Sequence, residues 1–476
     1  MSKRTQTVIL GAGPAGLSAA YEMNGSGSDI VVLEADRSVG GISKTVSFKE
    51  CLFDLGGHRF HTDISEVSRL WESLLGDDFL TRPRLSRIRY RGKFFDYPLT
   101  PMNAVFGLGM IDSIGILWSY LAARMFPSKE ERTFEQWVSN RFGKRLFEIF
   151  FKSYTEKVWG IPCDELSAEW AAQRIDGLSL SVAIRQALFP ERNGKVKTLI
   201  DEFRYPKLGP GMLYDEMMRR IRERGGQIET GTRVIGLHAD GNRIRNILTE
   251  DADGNGAEYP ADFLISSMPI DELVTMIRPV APEAVIAAAN GLRYRSLVSV
   301  SLVLDCPNPF PDNWIYVHTP EVRLGRIQNF GNWSPSMVEP VGRVALGLEY
   351  FCDEGDDFWN TDDTALIALG LDEMRKIGIA GYDGFIDGFV TRIPKAYPVY
   401  HGAYRENVAI LRTYLEGFRN LQTIGRNGMF RYNNMDHSVL TGILAAKNIP
   451  EKRFDLWDAK RYSDVTSITA DEALDI

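Results

Sequence analysis

Apolar and polar positions at the start of the chain follow first a strand pattern, then a helix pattern, then a strand pattern again. Residues 7–10 (TVIL) form an apolar run that predicts a buried parallel strand, and Pro14 to Glu22 predict the helix after it. A Gly/Ser turn at residues 25–28 precedes the run from Asp29 to Leu33, which predicts the next strand. The N-terminus therefore predicts a βαβ unit.

Later patterns predict a nucleotide-binding domain assembled from separate parts of the chain. Residues 100–190 have a helical pattern, and residues 211–266 predict a helix and short strands that return to the first domain. Residues 293–305 and 343–351 have the pattern of sheet strands, and residues 423–448 that of a strand, a loop and a helix. We predict an α/β fold with a nucleotide-binding domain at 1–90, 206–275 and 401–476. A helical substrate region at 91–205 and a substrate-domain sheet at 276–400 interrupt it.

The longest apolar stretch of the sequence is residues 104–126. Asp112 lies near its middle, so the stretch predicts a buried or amphipathic helix in preference to a membrane span. Contact of this helix with a membrane surface is not expected but stays open. Its contact with a second copy of the chain, in a homo-oligomer, stays open as well.

Composition narrows the class of protein and its partners. The formal net charge of −8, from 55 basic and 63 acidic residues, gives no reason to expect a nucleic-acid partner. Four cysteines lie far apart without the spacing of a metal site or a disulfide framework, so no metal is predicted. The sequence begins MSKRTQ without the pattern of a signal peptide, and we predict a cytoplasmic protein.

The turn between the first strand and helix carries the strongest local motif. Gly11, Gly13 and Gly16 have GxGxxG spacing, which combines a tight turn, close approach of a pyrophosphate and close packing of helix on strand. Glu34 ends the second strand, where an acidic side chain accepts the hydroxyls of a ribose. Strand, glycine turn, helix and acidic residue together predict a dinucleotide site.

The residues after Glu34 indicate FAD in preference to NAD. Arg37, Gly40 and Gly41 extend the motif in a way that resembles the amine-oxidase-like flavoproteins, whose arginine and paired glycines wrap the pyrophosphate. Gly425-Arg426 near the C-terminus, followed by a predicted helix, is similar to the segment that meets the flavin in the same group. The resemblance implies a Rossmann-like FAD-binding domain of the GR2 type with an inserted helical and mixed-sheet substrate domain.

Four longer segments resemble UDP-galactopyranose mutases, in the order of that family and across residues 7–445. They are GGHRFHT (56–62), FKSYTEKVWG (151–160), RIQNFGNWSP (326–335) and GRNGMFRYNNMD (425–436). The resemblance implies redox-neutral chemistry in which N5 of reduced flavin attacks the anomeric carbon of an activated sugar and ring forms interconvert. It also implies a small-molecule sugar substrate, a role in polysaccharide biosynthesis, and a reductant such as NAD(P)H.

The resemblance also implies roles for individual residues. His58 is expected beside the flavin ring, Tyr154 and Trp159 in the substrate cleft, Arg326 on the diphosphate, and Tyr350 and Tyr397 near it. The expected catalytic residues are His58, Arg326, Tyr350 and Tyr397, and the expected substrate-binding residues are Tyr154, Trp159, Arg174 and Arg326. The expected FAD-binding residues are Gly11, Gly13, Ala15, Gly16, Glu34, Ala35, Arg37, Gly40, Gly41, Gly57, His58, Val234, Gly425, Arg426, Met435 and Asp436.

The sequence departs from the mutase pattern at one point and leaves alternatives open. Arg174 keeps the first arginine of the RxPxR segment, but Leu178 stands where the second is expected, so a different nucleotide-linked or lipid-linked sugar is as plausible as UDP-galactopyranose. The rival function is an FAD-dependent oxidoreductase of the amine oxidase or protoporphyrinogen oxidase type. Amine oxidases usually carry a lysine near flavin N5, and no lysine is assigned there. Tyr154 and Trp159 are also typical core aromatics, and Arg326 also fits an ion pair.

Overall fold

The computed structural model describes residues 6–24, 29–97, 103, 107–168 and 202–462, and the elements below are those of this part of the chain. The strands are β1 Gln6–Leu10, β2 Asp29–Glu34, β3 Thr45–Phe48, β4 Cys51–Asp54, β5 Phe79–Pro83, β6 Ser86–Tyr90, β7 Lys93–Asp96, β8 Glu202–Pro206, β9 Gln227–Thr230, β10 Thr232–Asp240, β11 Arg243–Asp251, β12 Gly256–Pro260, β13 Phe263–Ser266, β14 Ile277–Arg278, β15 Tyr294–Asp305, β16 Trp314–Val317, β17 Arg326–Asn329, β18 Arg343–Cys352, β19 Phe385–Pro398 and β20 Leu421–Thr423.

The longer helices connect and cover these strands. They are α1 Pro14–Met23, α2 Ser65–Leu75, α3 Met110–Met125, α4 Phe134–Phe142, α5 Ser153–Trp159, α6 Gly211–Glu223, α7 Ile270–Met276, α8 Glu283–Asn290, α9 Asp363–Lys376, α10 Tyr404–Glu416 and α11 Met435–Lys447. Shorter helical turns are Gly41–Ser43, Gly76–Asp78, Lys144–Leu146, the π-helical Phe147–Lys152, Phe330–Trp333, Pro335–Met337, Tyr382–Gly384 and Leu456–Tyr462.

A five-stranded parallel sheet forms the first layer, in the order β20-β13-β1-β2-β9. Its central strand β1 buries Val8, Ile9 and Leu10 completely, because helices cover both faces of a parallel sheet. Each such side chain contributes about 1.5–3 kcal/mol by leaving water. Helix α11 packs against α1, where Gly442 lies so close to α1 that a Cβ there would be 2.2 Å from the Ala15 carbonyl oxygen. The βαβ unit expected from the sequence lies at the centre of this layer.

A seven-stranded sheet forms the second half of the fold, in the order β19-β15-β18-β17-β16-β6-β7. Alternate residues of its strands point to opposite faces. One face carries an apolar core that includes Val300, Leu302, Leu346 and Leu348 and is covered by α9. The opposite face turns towards the first layer, and the polar residues described below lie on it.

Two of the domain boundaries expected from the sequence do not coincide with the limits of the sheets and cores in the structure. The boundary at residue 90 falls inside the β6–β7 hairpin, both strands of which belong to the seven-stranded sheet. The boundary at residue 276 precedes β14 and α8, although β14 pairs with β10 and α8 packs into the core of the first half through Val285 and Ala288. Short strands caused both differences, because β6, β7 and β14 have five, four and two residues and carry too little periodicity to be assigned to a sheet.

Helix α3 is amphipathic, as expected for residues 104–126, but its apolar face is the outer one. Its apolar side chains face outward: Ile111 is 89% exposed and Trp118 is 67% exposed. The inward face is polar, because Asp112 pairs there with Arg145 at 2.7 Å, and Tyr120 is the buried aromatic of the helix. No helix in the described ranges has the length and apolar character needed to span a membrane.

Candidate active site

The glycine turn after β1 brings the N-terminus of α1 to the edge of a cavity. Gly11 has a φ of +94°, which favours glycine, and a Cβ on Gly16 would lie 1.9 Å from the Gly11 carbonyl oxygen. Gly13 itself lines the cavity, so backbone N–H groups and the positive end of α1 face it. This geometry suits a pyrophosphate.

The end of β2 supplies a fixed acceptor beside the glycine turn. The Glu34 carboxylate accepts the backbone N–H groups of Ala12 at 2.6 Å and Asp36 at 2.9 Å. Burial raises the pKa of Glu34, although these hydrogen bonds act in the opposite direction. With Ala35 and Val234 lining the same part of the cavity, this carboxylate is placed to accept ribose hydroxyls.

The C-terminal segment closes the cavity from the other side of the glycine turn. Gly425 has a φ of +78°, and a Cβ there would be 3.1 Å from that of Ala15. Arg426 donates from Nε to the Asn433 carbonyl and from Nη1 to the Ala396 carbonyl, both at 2.9 Å. Burial would raise the pKa of Asp436 at the start of α11, but hydrogen bonds from His437 outweigh it and hold the pKa below its usual range.

The cavity has a volume of about 550 Å³ and collects most of the residues expected from sequence. Those that line it are Gly11, Gly13, Ala15, Glu34, Ala35, Gly41, Gly57, His58, Val234, Arg326, Tyr397, Gly425, Arg426, Met435 and Asp436. Among the other predicted residues, Gly16 and Gly40 pack behind the turn, and Arg37 is exposed outside the cavity. Arg174 lies outside the described residues.

His58 lies at the cavity wall formed by the loop after β4. Burial lowers the pKa of His58 to about 3, with further lowering from Arg426 and Arg326. Its Nε2 is buried and has no hydrogen-bond partner among the described residues. A buried polar atom of this kind at a cavity surface fits a bound polar group, and the glycine turn with Glu34 fits the rest of FAD.

Three adjacent strands of the seven-stranded sheet carry a row of polar side chains at the cavity, with Tyr316 and Arg326 lining it and Glu349 beside them. Register brings Tyr316 of β16 opposite Arg326 of β17, and Arg326 opposite Glu349 of β18. The Glu349 carboxylate, almost fully buried, accepts Arg326 Nε at 2.8 Å and Gln328 Nε2 at 2.8 Å. Burial opposes the charge of Arg326, but Glu349 raises its pKa above the ordinary value. Arg326 is thus both a cavity residue and an ion-pair partner.

The placement of Tyr350 corrects the expectation that its hydroxyl meets the substrate. Alternation along β18 sends Glu349 to the cavity face and Tyr350 to the opposite face. There Tyr350 is 1% exposed and packs with Phe358 at 5.3 Å between ring centroids. Tyr350 is therefore a core residue. Tyr397 differs, because it lines the cavity and stacks on Tyr432 at 5.5 Å.

Tyr154 and Trp159 lie behind the cavity wall. Tyr154 stacks on His318 at 4.5 Å and meets Tyr316 edge-on at 5.7 Å. Trp159 is buried and contacts Tyr397 and Tyr432 at 6.2 and 6.1 Å. Both therefore touch residues of the cavity surface without lining it themselves.

Lys157 of the FKSYTEKVWG segment has a structural role.

 Its ammonium group donates to the carbonyls of Val317, Thr319 and Leu324 at 3.0–3.1 Å, which ties α5 to the loop after β16. Burial lowers the pKa of Lys157 to about 8. This lysine therefore positions the strand that carries Tyr316.

Several cavity residues were not found from the sequence. Gln328 lines the cavity through the register of β17, and Trp314 and Tyr316 line it through the short strand β16. Glu349 does not line the cavity but holds Arg326 and Gln328 from the neighbouring strand β18. Alternation along β17 from Arg326 would have indicated Gln328. Glu349 depends on which strand pairs with β17, and the sequence carries no signal for that pairing.

Comparisons with known proteins agree on the fold and differ on the reaction. The chain is 25% identical over 433 residues to coproporphyrinogen III oxidase of Mycobacterium leprae (strain TN), which covers 87% of this chain and 91% of the relative. It is 32% identical over 114 residues to the L-amino acid oxidase Cdc18 of Crotalus durissus cumanensis, a match that spans 21% of this chain and only 23% of that relative. The crystal structure of reduced UDP-galactopyranose mutase superimposes with a TM-score of 0.80 at 22% identity, covering 94% of each chain.

The family described as flavin containing amine oxidoreductase matches residues 14–450, nearly the whole chain. That range contains Glu34, His58 and Arg426, and it begins inside the glycine turn. The match and the geometry of the turn agree on the cofactor expected from sequence. The chain belongs to the flavin containing amine oxidoreductase family, and it is an FAD-dependent enzyme.

Proposed function

We propose that this protein is a mutase-like enzyme that uses reduced FAD to interconvert the ring forms of an activated sugar. The observation that carries the proposal is the polar cavity wall beside His58, formed by Tyr316, Arg326, Gln328 and Tyr397. Sugar hydroxyls and phosphate oxygens need hydrogen-bonding groups of this kind. A purely apolar substrate would leave Gln328 Oε1, a buried acceptor without a hydrogen-bond partner among the described residues, unsatisfied.

When bound, reduced FAD supplies the nucleophile, N5, for the anomeric carbon. The residues of the chain bind and orient the sugar. Burial raises the pKa of the Tyr397 phenol, so at neutral pH it keeps its proton and can donate a hydrogen bond. His58, with a pKa of about 3, is neutral at pH 7 and serves as a hydrogen-bonding group without a charge. The Glu349 carboxylate is held by Arg326 and Gln328. These roles suit a reaction in which the cofactor supplies the reactive atom.

The second candidate function is an FAD-dependent oxidoreductase, favoured by the 25% identity with a coproporphyrinogen III oxidase. Of the described residues that line the cavity, none is a lysine, the residue that amine oxidases usually place near the flavin. Lys395 comes from a neighbouring strand, but its ammonium group pairs with Asp271 at 2.6 Å and Glu272 at 2.7 Å. The polar wall therefore favours the mutase-like reaction over amine oxidation.

The test is a chemical trap on the FAD-loaded protein. The protein is reduced anaerobically with dithionite and mixed with a panel of nucleotide-linked and lipid-linked sugars. Cyanoborohydride is then added, and the released flavin is weighed by mass spectrometry. We expect a flavin heavier by one glycosyl unit with at least one sugar, and an unmodified flavin when the protein is kept oxidised.

A matched pair of variants sharpens this test. Tyr397→Phe should slow formation of the heavier flavin, because its hydroxyl lies at the cavity, whereas Tyr350→Phe should not, because its ring faces the other side of the sheet. Unmodified flavin with every sugar, together with steady oxygen uptake on a sugar-free amine or porphyrinogen, would contradict the mutase-like function.

A further inference from the structure

Arg59 follows His58 in the loop after β4 and lines the same cavity. Its guanidinium carbon lies 5.8 Å from the centre of the Trp314 ring, a cavity residue on β16. No hydrogen bond or ion pair joins Arg59 to another residue in the described ranges. Arg59 is only partly exposed, so its charge is directed at the cavity surface without a protein carboxylate to neutralise it.

The other cavity cations near His58 are already engaged. Arg326 forms its ion pair with Glu349, so that pair has no net charge. Arg426 is anchored by two backbone carbonyls and lies over the ring of Tyr432, 4.9 Å from its centre. Arg233 also lines the cavity, but it is exposed beside Val234, in the part of the cavity that holds Glu34. Among the described arginines that line the cavity near His58, Arg59 is therefore best placed to receive an anion from outside the protein.

The acidic residues that line the cavity do not compete for Arg59. Glu34 accepts two backbone N–H groups, and Glu272 pairs with Lys395. Asp436 is hydrogen-bonded to His437. A guanidinium group beside an indole ring and away from carboxylates has the chemistry of an oxyanion site, because arginine binds phosphate and carboxylate oxygens with two parallel N–H groups.

We propose that Arg59 binds the anionic group of the substrate, with the Trp314 ring as the adjacent wall. The ligand chemistry is an oxyanion on the substrate, a phosphate oxygen of an activated sugar or a carboxylate oxygen of another acid. The expectation of a phosphate, in preference to a carboxylate, rests on the proposed function. The inference itself places an anionic group of the substrate next to the polar wall of Tyr316 and Gln328.

The experiment measures the binding of each probe to the FAD-loaded full chain by calorimetry. This readout does not depend on catalytic turnover. The probes are uridine diphosphate, uridine as its uncharged counterpart, and coproporphyrin III as a source of carboxylates. We expect Arg59→Gln to weaken binding of uridine diphosphate by about tenfold or more and to leave uridine unchanged. Arg59→Lys should restore part of the loss. Arg69→Gln, which removes an exposed arginine outside the cavity, should stay within about twofold of the unaltered protein.

The outcomes separate this inference from the proposed function. Arg59-dependent binding of uridine diphosphate supports the inference even when the trap yields only unmodified flavin. Arg59-dependent binding of coproporphyrin III alone supports an oxyanion site and moves the substrate to a carboxylic acid. Binding of both anions that is unchanged in Arg59→Gln, or no binding of either anion, overturns the inference. Equal FAD content and equal melting temperature in Arg59→Gln and Arg69→Gln exclude misfolding as the cause.

Discussion

The ion pair between Arg326 and Glu349 offers a test of how the polar wall is held together. Glu349 is 1% exposed and Arg326 is 17% exposed at the side chain, so both charges are largely removed from water. Glu349→Gln removes the carboxylate and leaves the guanidinium buried without a counter-charge. We expect this change to lower the free energy of unfolding by about 3–5 kcal/mol, the cost of breaking a buried pair by removing one partner.

The double variant Arg326→Met with Glu349→Leu separates the pair from its parts. Replacing both charges with apolar side chains removes the uncompensated charge, and such replacements are often close to neutral. Gln328 would lose its acceptor only in the double variant, at a cost of about 1–3 kcal/mol, because an amide oxygen at position 349 can still accept its hydrogen bond in Glu349→Gln. We therefore expect the double variant to be more stable than Glu349→Gln alone.

Urea unfolding followed by tryptophan fluorescence measures these differences in the FAD-free protein. Glu354→Gln is the control, because Glu354 is exposed on the loop after β18. The reasoning is refuted when Glu349→Gln stays within about 1 kcal/mol of Glu354→Gln. It is refuted equally when the double variant loses more stability than the single one.

Three further predictions concern other parts of the molecule. Burial lowers the pKa of His318 to about 3 from an ordinary 6.5, so the stability it contributes is present above pH 6.5 and is lost as the pH falls towards 3. Lowering the pH from 7 to 5 should cost about 2 kcal/mol through His318, and urea unfolding at both pH values should show a smaller loss in His318→Gln. Gly16→Ala places a Cβ 1.9 Å from the Gly11 carbonyl oxygen, so the purified variant should hold less than about a tenth of the usual FAD by absorbance. Trp118→Ser should leave the melting temperature unchanged, because the ring is 67% exposed, whereas Tyr120→Ala on the buried face should cost about 3 kcal/mol. Equal melting temperatures of these two variants would contradict the orientation of α3.

The sequence was sufficient to predict the βαβ unit that carries the glycine turn, but it was insufficient to predict the polar cavity wall. The β1–α1–β2 unit was predictable because strand, glycine turn and Glu34 are adjacent in the chain and each element is long enough to show its period. Strands β16 and β17 have four residues each, and their pairing with β18 brings together residues that are distant in sequence. The same limit explains Tyr350, since its face of the sheet depends on register.

The sequence was also insufficient for α3. Its apolar residues predicted burial, because hydrophobic side chains are usually inside a protein. Apolar side chains also form much of a protein's surface, however, so an apolar stretch is not always buried. Asp112 was the available signal. A charged residue in an apolar helix turns towards its partner, and here that partner, Arg145, lies on the protein side. The apolar face is consequently the outer one.

The parallel sheet has a consequence for the synthesis of the protein in the cell. Strand β1 comes from residues 6–10, whereas β20 and Gly425 come from the last part of the chain, and both are needed around the glycine turn. A ribosome must therefore translate the chain through Gly425 before the flavin site can close, and the early strands remain without their partners until then. Products of premature termination before β20 should accumulate without flavin and be open to proteolysis. A chain that ends before β20 should therefore lack the yellow colour of bound flavin.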